Sequence, residues 1–177
     1  MAIALSLFLL STINSSAHAE ANVTTVPKVD LTRYLGLWYE IGTVPMKFQK
    51  GCTCTTAEYL KEADAEWIRV RNSCKRNGER TLANLRAYVE DEKTNSKLSV
   101  GFVLPQISFL RQDYWIIALD DKNYQWAMVS NHSGDTLWIL ARQKTLDQAL
   151  VKNLLGQAKS MGIDLSKFVM TDQINCQ

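Results

Sequence analysis

The sequence has few of the residues, and none of the short motifs, on which enzyme active sites usually depend. It contains only two histidines, His18 and His132. It has no Gly-x-Ser-x-Gly nucleophile turn, no glycine-rich phosphate loop and no His-Glu-x-x-His zinc motif. Asp120 and Asp121 are adjacent, so in a strand they point to opposite faces and cannot act as an acid–base pair. We therefore expect no catalytic residues, no metal site and no cofactor.

The sequence also lacks a strong charge of either sign. Its formal net charge is +2, and the basic residues are spread along the chain instead of being clustered. Nucleic acid is therefore not an expected partner. With 46% hydrophobic and 21% charged residues in a chain of 177, the composition is that of an ordinary globular protein with a single main domain.

No apolar run is long enough to span a bilayer, but a short one lies at the start of the chain. Residues 2–10 are apolar, and Ala17-His18-Ala19 follows as a small-residue cleavage site. We expect residues 1–19 to be a signal peptide, although no Lys or Arg precedes the run, and residues 20–177 to be the single mature domain. Because no cysteine lies at the cleavage region, we expect an exported, soluble protein without a lipid anchor, either periplasmic or secreted. The sequence does not indicate its oligomeric state.

The four cysteines are expected to form disulfides, because export places them in an oxidising compartment. The spacing and histidines of a zinc site are missing. If the second and third strands form a hairpin turning about Ala63, Cys52 faces Cys74, which leaves Cys54 for Cys176. The pairing of Cys52 with Cys176 and Cys54 with Cys74 stays open, because a one-step error in register exchanges the partners.

Short alternating segments separated by turn residues predict a meander of strands. Helical periodicity is absent until Thr145, where a good N-cap residue begins a helix over 146–161 that Gly162 ends. A short ninth strand is expected within 167–172, and a turn of 3₁₀ helix at 30–34. The eight main strands are predicted at 37–44, 54–61, 66–74, 80–90, 96–104, 113–119, 124–130 and 136–142.

The side-chain pattern of these strands gives two further expectations. Strand 80–90 places Ala83 and Ala87 on its apolar face, and small residues facing inward leave room for a guest unless they pack beneath a bulky neighbour such as Phe102. Strands 113–119 and 136–142 are apolar on both faces, so the helix is expected to cover the outer face there.

Three motifs resemble the signatures of the lipocalin family. Gly36 and Trp38 form a Gly-x-Trp motif, Asp120 and Tyr124 lie in the second signature with one extra residue before the tyrosine, and Arg142 precedes the helical segment. The resemblance covers nearly all of the mature chain and is closest to the group that contains apolipoprotein D and the bacterial outer-membrane lipocalin. It implies an all-β fold, a closed eight-stranded antiparallel up-and-down barrel with one C-terminal helix packed outside.

The resemblance also implies a role for the signature residues and for the cysteines. Trp38 would plug the closed end of the barrel, with Arg142 across its indole in a cation–π contact. In the apolipoprotein D group the C-terminal tail is tied to the start of the second strand, which agrees with a bond between Cys54 and Cys176.

By resemblance, the protein would bind, store or transport a small hydrophobic ligand such as a fatty acid or lysophospholipid. One alternative is an enzyme that modifies a lipid or isoprenoid, which a free reactive cysteine would favour. A second is a structural or interaction module whose core is filled and takes up no apolar ligand. Apolar residues at the mouth, Met46, Phe48 and the run 104–110, are compatible either with peripheral contact with a membrane or with loops that fold onto the rim of the barrel. The candidate cavity walls, of which about half are expected to point inward, are Glu40, Tyr59, Trp67, Tyr88, Phe102, Tyr114, Trp115, Tyr124 and Trp126.

Overall fold

A computed structural model describes residues 21–102, 111–174 and 176. The predicted signal peptide at 1–19 and the apolar run at 104–110 lie outside these residues. The helical segments are α1 (Leu31–Tyr34), a 3₁₀ turn (Lys47–Gln49) and α2 (Gln148–Ser160). The strands are β1 (Gly36–Val44), β2 (Thr53–Lys61), β3 (Trp67–Arg76), β4 (Glu79–Val89), β5 (Lys97–Phe102), β6 (Gln112–Leu119), β7 (Trp126–Ser130), β8 (Leu137–Ala141) and β9 (Val169–Met170).

Strands β1 to β8 form a closed antiparallel barrel. Each strand pairs with the next, and β1 closes the ring by pairing with both β2 and β8. The register places Gly36 opposite Tyr59 on one side of β1 and Tyr39 opposite Ala141 on the other. The predicted fold class is therefore confirmed, and the predicted strands agree with the observed ones to within about two residues over the part of the chain that is described.

The helices differ from the sequence prediction in two details. Residues Leu31–Tyr34 form a turn of α-helix instead of 3₁₀ helix, and the Asp30 carboxylate accepts hydrogen bonds from the first backbone amides. Helix α2 is capped by Asp147, whose carboxylate accepts from the Leu150 amide at 2.9 Å, so the predicted cap at Thr145 is wrong. No helix in the described residues has the length and apolar character needed to cross a bilayer.

The β2–β3 hairpin has a different register from the predicted one. Tyr59 lies opposite Val70, whereas a turn centred on Ala63 would have placed it opposite Trp67. The shift is an odd number of residues, so it exchanges the two faces of β3. Ile68 and Val70 therefore point into the barrel, and Trp67 points out.

Helix α2 covers the outer face of the barrel over the strands that are apolar on both sides. Val151, Leu154 and Ala158 are buried along one stripe of the helix. They belong to a cluster that includes Met128 of β7 and other strand residues, Ile41, Ile117, Leu137 and Ile139. The prediction that the helix covers this face is confirmed.

The C-terminal tail fills a gap in the barrel wall between β1 and β2. Direct pairing of these strands ends at Tyr39 and Thr56, and nearer the end of β1 its neighbour is β9. The Gln173 side-chain amide then donates to the backbone carbonyls of both Glu40 and Thr55, each at 2.8 Å. A disulfide between Cys54 and Cys176 fastens the tail.

Candidate ligand cavity

The barrel has a closed end and an open mouth, and successive connections between strands lie at opposite ends. Helix α1 and the turns 62–66, 90–96 and 120–125 lie at the closed end. The connections 45–52, 77–78 and 131–136 lie at the mouth, as does the start of β6. Because α1 blocks one end, a ligand can enter only from the other.

Trp38 and Arg142 close the floor together. The Trp38 side chain is 0% exposed, and the Arg142 guanidinium lies 3.7 Å from the centroid of its ring, which is the contact that the family resemblance implied. The same guanidinium ties α1 and β1 to the barrel by donating to backbone carbonyls, those of Arg33 and Leu37 at 2.8 Å, Leu35 at 2.9 Å, and Tyr34 and Tyr124 at 3.3 Å.

The other signature residues also lie at the closed end. Gly36 has φ 92°, a left-handed conformation that favours glycine, and a Cβ there would lie 3.5 Å from the Arg142 guanidinium. The Asp120 carboxylate accepts from the backbone amides of Asn123 and Gln125. The Tyr124 hydroxyl accepts from the Asp30 amide at 2.9 Å, so Tyr124 supports the floor from below and does not line the cavity at the mouth of the barrel.

Side chains facing inward above this floor are tightly packed. Val70, Ala87, Leu98 and Ile116 are buried, each at 3% exposure or less, in one cluster with Trp38. This half of the interior is a packed protein core.

Three tyrosine hydroxyls meet inside this core. The Tyr59 hydroxyl donates to the Tyr114 hydroxyl at 2.6 Å, and the hydroxyls of Tyr114 and Tyr34 lie 2.8 Å apart. Burial raises the pKa of both Tyr34 and Tyr59, so the phenols stay neutral. The cluster therefore offers neutral hydrogen-bonding groups at the bottom of the interior.

Inward-facing side chains become half-buried toward the mouth. Leu85 of β4, Val100 of β5, Tyr114 of β6 and Trp138 of β8 all pack against the inner cluster but keep accessible surface. A cavity of about 690 Å³ opens at this end and reaches Trp138 from the mouth loops. This volume is in the range of small-molecule sites.

Glu40 links the mouth loop and the tail to the wall of this cavity. Its carboxylate accepts from the Gln49 amide at 2.8 Å and from the Thr171 hydroxyl at 2.6 Å. The Gln49 carbonyl oxygen in turn accepts from the Trp138 indole at 3.3 Å. Burial raises the pKa of the Glu40 carboxyl above its usual 4.5, and the two hydrogen bonds oppose that rise.

Two buried polar atoms on the inner face have no hydrogen-bond partner among the residues that the structure describes. Asn72 lies on β3 two residues after Val70, and its side-chain oxygen is buried and unpartnered. The Thr55 hydroxyl, two residues before the inward-facing Ala57, is likewise buried and unpartnered. Buried polar groups are nearly always paired, so these two oxygens are exceptions that keep the capacity to accept a hydrogen bond.

Four of the predicted wall residues lie outside the barrel. Trp67 and Tyr88 are opposite each other on the outer face of β3 and β4, because their neighbours Ile68 and Ala87 point inward. Trp115 and Trp126 pack in the outer cluster beneath α2. Strands that are apolar on both sides do not reveal which face is inner, so the sequence pattern could not assign these tryptophans.

Of the remaining candidates, Glu40, Tyr59 and Tyr114 face the interior. Phe102 lies opposite the inward-facing Leu85, at the mouth end of β5, and is 74% exposed. The sequence analysis missed Trp138, Gln49 and Asn72. Of these three, only Trp138 could have been found from the sequence. It alternates with Leu137 and Ile139, so if the helix covers the face that carries those two residues, Trp138 must lie on the inner face.

The cysteines are all used in disulfides, which join Cys52 to Cys74 and Cys54 to Cys176. These are the expected pairs, although the hairpin register that suggested them is different. Among the described residues, no three His, Cys, Asp or Glu side chains are grouped so that they could hold a metal ion.

The family model of the lipocalin-like domain matches residues 29–173. This chain is a lipocalin. Its family binds small hydrophobic ligands and consists mainly of binding and transport proteins.

The lipocalin is similar to relatives from plants, bacteria and mammals. It is 35% identical over 153 residues to temperature-induced lipocalin-1 of Arabidopsis thaliana, covering 84% of this chain and 81% of the relative. It is 33% identical over 162 residues to the outer membrane lipoprotein Blc of Escherichia coli K12, covering 90% and 88%. Apolipoprotein D of Cavia porcellus is 34% identical over 169 residues, covering 83% and 78%.

Solved structures agree on the fold. Insecticyanin from the tobacco hornworm Manduca sexta superposes with a TM-score of 0.69 over 90% of this lipocalin and 89% of that chain. The identity is 24%, so this likeness concerns the barrel architecture alone.

Proposed function

We propose that this lipocalin binds a single-chain lipid, a fatty acid or lysophospholipid, in the mouth half of its barrel and stores or transports it. The observation that carries the proposal is the change along the inner face, from full burial near Trp38 to half-burial around Leu85 and Trp138. Inward-facing side chains that keep accessible surface border space that the described residues do not fill.

The chemistry of the lining favours an amphiphile over a purely apolar guest. Leu85 and Val100 offer apolar contact for a chain, and the unpartnered oxygens of Asn72 and Thr55 accept hydrogen bonds from a hydroxyl. Burial of an acyl chain contributes roughly 0.8 kcal/mol per methylene before the costs of binding, so micromolar affinity needs few polar contacts.

A binding role also fits the cysteines better than the enzymatic alternative. That alternative depended on a free thiol, and all four cysteines are in disulfides. The same disulfides support export to an oxidising compartment, either the periplasm or the outside of the cell. We propose that residues 1–19 are the signal peptide of this export and that residues 20–177 form a single mature domain. Mass spectrometry of the N-terminus of the natively processed protein tests this part of the proposal.

The binding proposal is tested by filling the cavity from one position. Ala83 lies opposite Asn72 on the inner face, so Ala83→Trp places an indole in the space assigned to the ligand. Its neighbour Asn84 points outward, and Asn84→Trp adds the same bulk outside the barrel. Titration with a fluorescent fatty acid, followed by tryptophan quenching, should show binding to the wild type and to Asn84→Trp, with at least about tenfold weaker binding to Ala83→Trp. Equal affinities for all three proteins, or no binding to the wild type, would contradict the proposal.

A further inference from the structure

Basic residues that are dispersed in the sequence converge at the mouth of the barrel. The mouth loop and the β3–β4 hairpin, residues 45–54 and 75–82, carry five cations and one carboxylate, Glu79. We call this surface the basic rim. Its cations are Lys47, Lys50, Lys75, Arg76 and Arg80.

Arg76 joins the two segments into one surface. Its guanidinium donates to the Phe48 carbonyl and lies 3.4 Å from the Cys52 sulfur, so the mouth loop is held beside the hairpin. The disulfide from Cys52 to Cys74 makes a second link between the same segments. The cations of the rim are therefore held near one another.

The arrangement of these charges is unfavourable for the isolated protein. Lys75 and Arg80 are directly opposite in the β3–β4 ladder, and like charges in that position destabilise a sheet. Toward the closed end, Arg69 and Arg71 have acidic partners in Glu62 and Glu58.

At the rim, three of the five cations lack such an acidic partner among the described residues. Arg80 donates to the neutral Ser73 hydroxyl at 3.1 Å. Lys47, Lys50 and Arg80 take part in none of the ion pairs found among the described residues. Their charge is thus available to an anionic partner.

Apolar side chains are exposed within the same surface. Phe48 in the mouth loop is 60% exposed and Leu82 in the hairpin is 62% exposed. Cations mixed with exposed apolar side chains suit the interface of an anionic bilayer, where head groups meet acyl chains. A purely polyanionic partner, such as nucleic acid, offers no apolar environment for the exposed Leu82 side chain.

The closed end has the opposite charge. Its three turns, 62–66, 90–96 and 120–125, carry eight carboxylates and two lysines, Lys93 and Lys122. A negative surface therefore repels that end while it attracts the mouth. The charge distribution orients the barrel with its opening toward the anionic surface.

We propose that the basic rim docks the barrel mouth on an anionic phospholipid surface. The lysines and arginines pair with phosphate groups, and Phe48 and Leu82 enter the interfacial layer. The inference rests on the outer rim and not on the contents of the cavity, so it stands or fails independently of the ligand proposed above.

The test is flotation of the full chain with two kinds of vesicle, phosphatidylcholine alone and a mixture in which about a third is phosphatidylglycerol. We expect binding to the mixed vesicles that weakens as salt is raised. Lys50→Glu/Arg80→Glu should lower that binding at least about tenfold, while Lys93→Glu/Lys122→Glu, which changes the net charge equally at the closed end, should not. Neither Lys50 nor Arg80 lines the cavity, so titration with the fluorescent fatty acid in solution should be unchanged.

A second pair of variants tests the contribution of the exposed apolar side chains to vesicle binding. Leu82→Ala should weaken vesicle binding severalfold, whereas Leu37→Ala, at an exposed leucine of the closed end, should leave it unchanged. Near-ultraviolet circular dichroism verifies that each variant is folded. The proposal is overturned by absence of binding to the mixed vesicles, by equal binding to pure phosphatidylcholine, by equal loss in the two double variants, or by tighter binding to DNA or heparin than to vesicles.

Discussion

Two tryptophans, one near each end of the barrel, show how differently the ends are built. Trp38 is fully buried, its indole nitrogen donates to the Tyr34 carbonyl at 2.8 Å, and a guanidinium covers its ring. Trp138 also faces inward, but it is half-buried and donates to the side chain of Gln49 in the mouth loop. Trp38 therefore stabilises the packed closed end, whereas Trp138 lines the cavity at the mouth. The same residue type thus stabilises the protein at one end and is available for ligand contact at the other.

This comparison predicts a large difference between two equivalent truncations. Trp38→Ala should lower the free energy of unfolding by about 3–5 kcal/mol, because the packed floor cannot collapse around the lost indole. Trp138→Ala should lower it by only about 1–2 kcal/mol, since its side chain is already in part accessible. Urea denaturation measures both values, and equal losses would mean that the mouth half is packed as firmly as the floor.

The next largest loss of stability is expected from replacing an arginine that lies over an aromatic ring, Arg142 over Trp38 or Arg111 over Tyr88. Arg142→Lys keeps the charge near Trp38 but cannot reach the several backbone carbonyls that the planar fork contacts, so we expect a loss of about 2–3 kcal/mol. Arg111 also lies 3.7 Å from a ring centroid, that of Tyr88, but on the outer surface. Arg111→Lys should cost less than about 1 kcal/mol. Similar losses in urea denaturation would show that the cation–π contact, and not the carbonyl network, gives Arg142 its importance.

A smaller effect is expected where the floor meets the cavity. Tyr114→Phe removes the hydroxyl that contacts those of both Tyr34 and Tyr59, and we expect a loss of about 1–2 kcal/mol in the free energy of unfolding. Tyr88→Phe is the control, because that ring lies on the outer face. If the two substitutions prove equally mild, the hydroxyl cluster does not contribute to stability.

The sequence was informative about the closed end and much less so about the mouth. Gly36, Trp38 and Arg142 could be placed because they match the lipocalin signatures, and the resemblance implies that these residues meet at the closed end of the barrel. Strand bounds followed from alternation and turn residues, which are local properties. The cover of the outer face by α2 followed from strands that had no polar side.

What the sequence could not give depends on register and on contacts between distant segments. Trp67 was one of the candidate wall residues, and its face depends on the β2–β3 register, in which an odd shift turns a whole strand over. The basic rim was invisible because its cations lie on segments more than twenty residues apart. The tail contact from Thr171 to Glu40 spans 131 positions, and no local pattern predicts it.

The smallest predicted effect is the pH dependence caused by Glu40 at the mouth. Burial raises the pKa of this carboxyl in the folded protein above 4.5, so the folded state keeps a proton that the unfolded chain has already released. The contribution of Glu40 to the free energy of unfolding should therefore fall as pH rises from about 4.5 through the folded-state pKa, and stay constant above it. Glu40→Gln removes the titrating group, so its free energy of unfolding minus that of the wild type should increase over the same range. Urea denaturation of both proteins from about pH 4 to about pH 8 measures this difference. A difference that is flat, or that decreases with pH, would mean that the hydrogen bonds from Gln49 and Thr171 outweigh burial and hold the carboxylate in its ionised form.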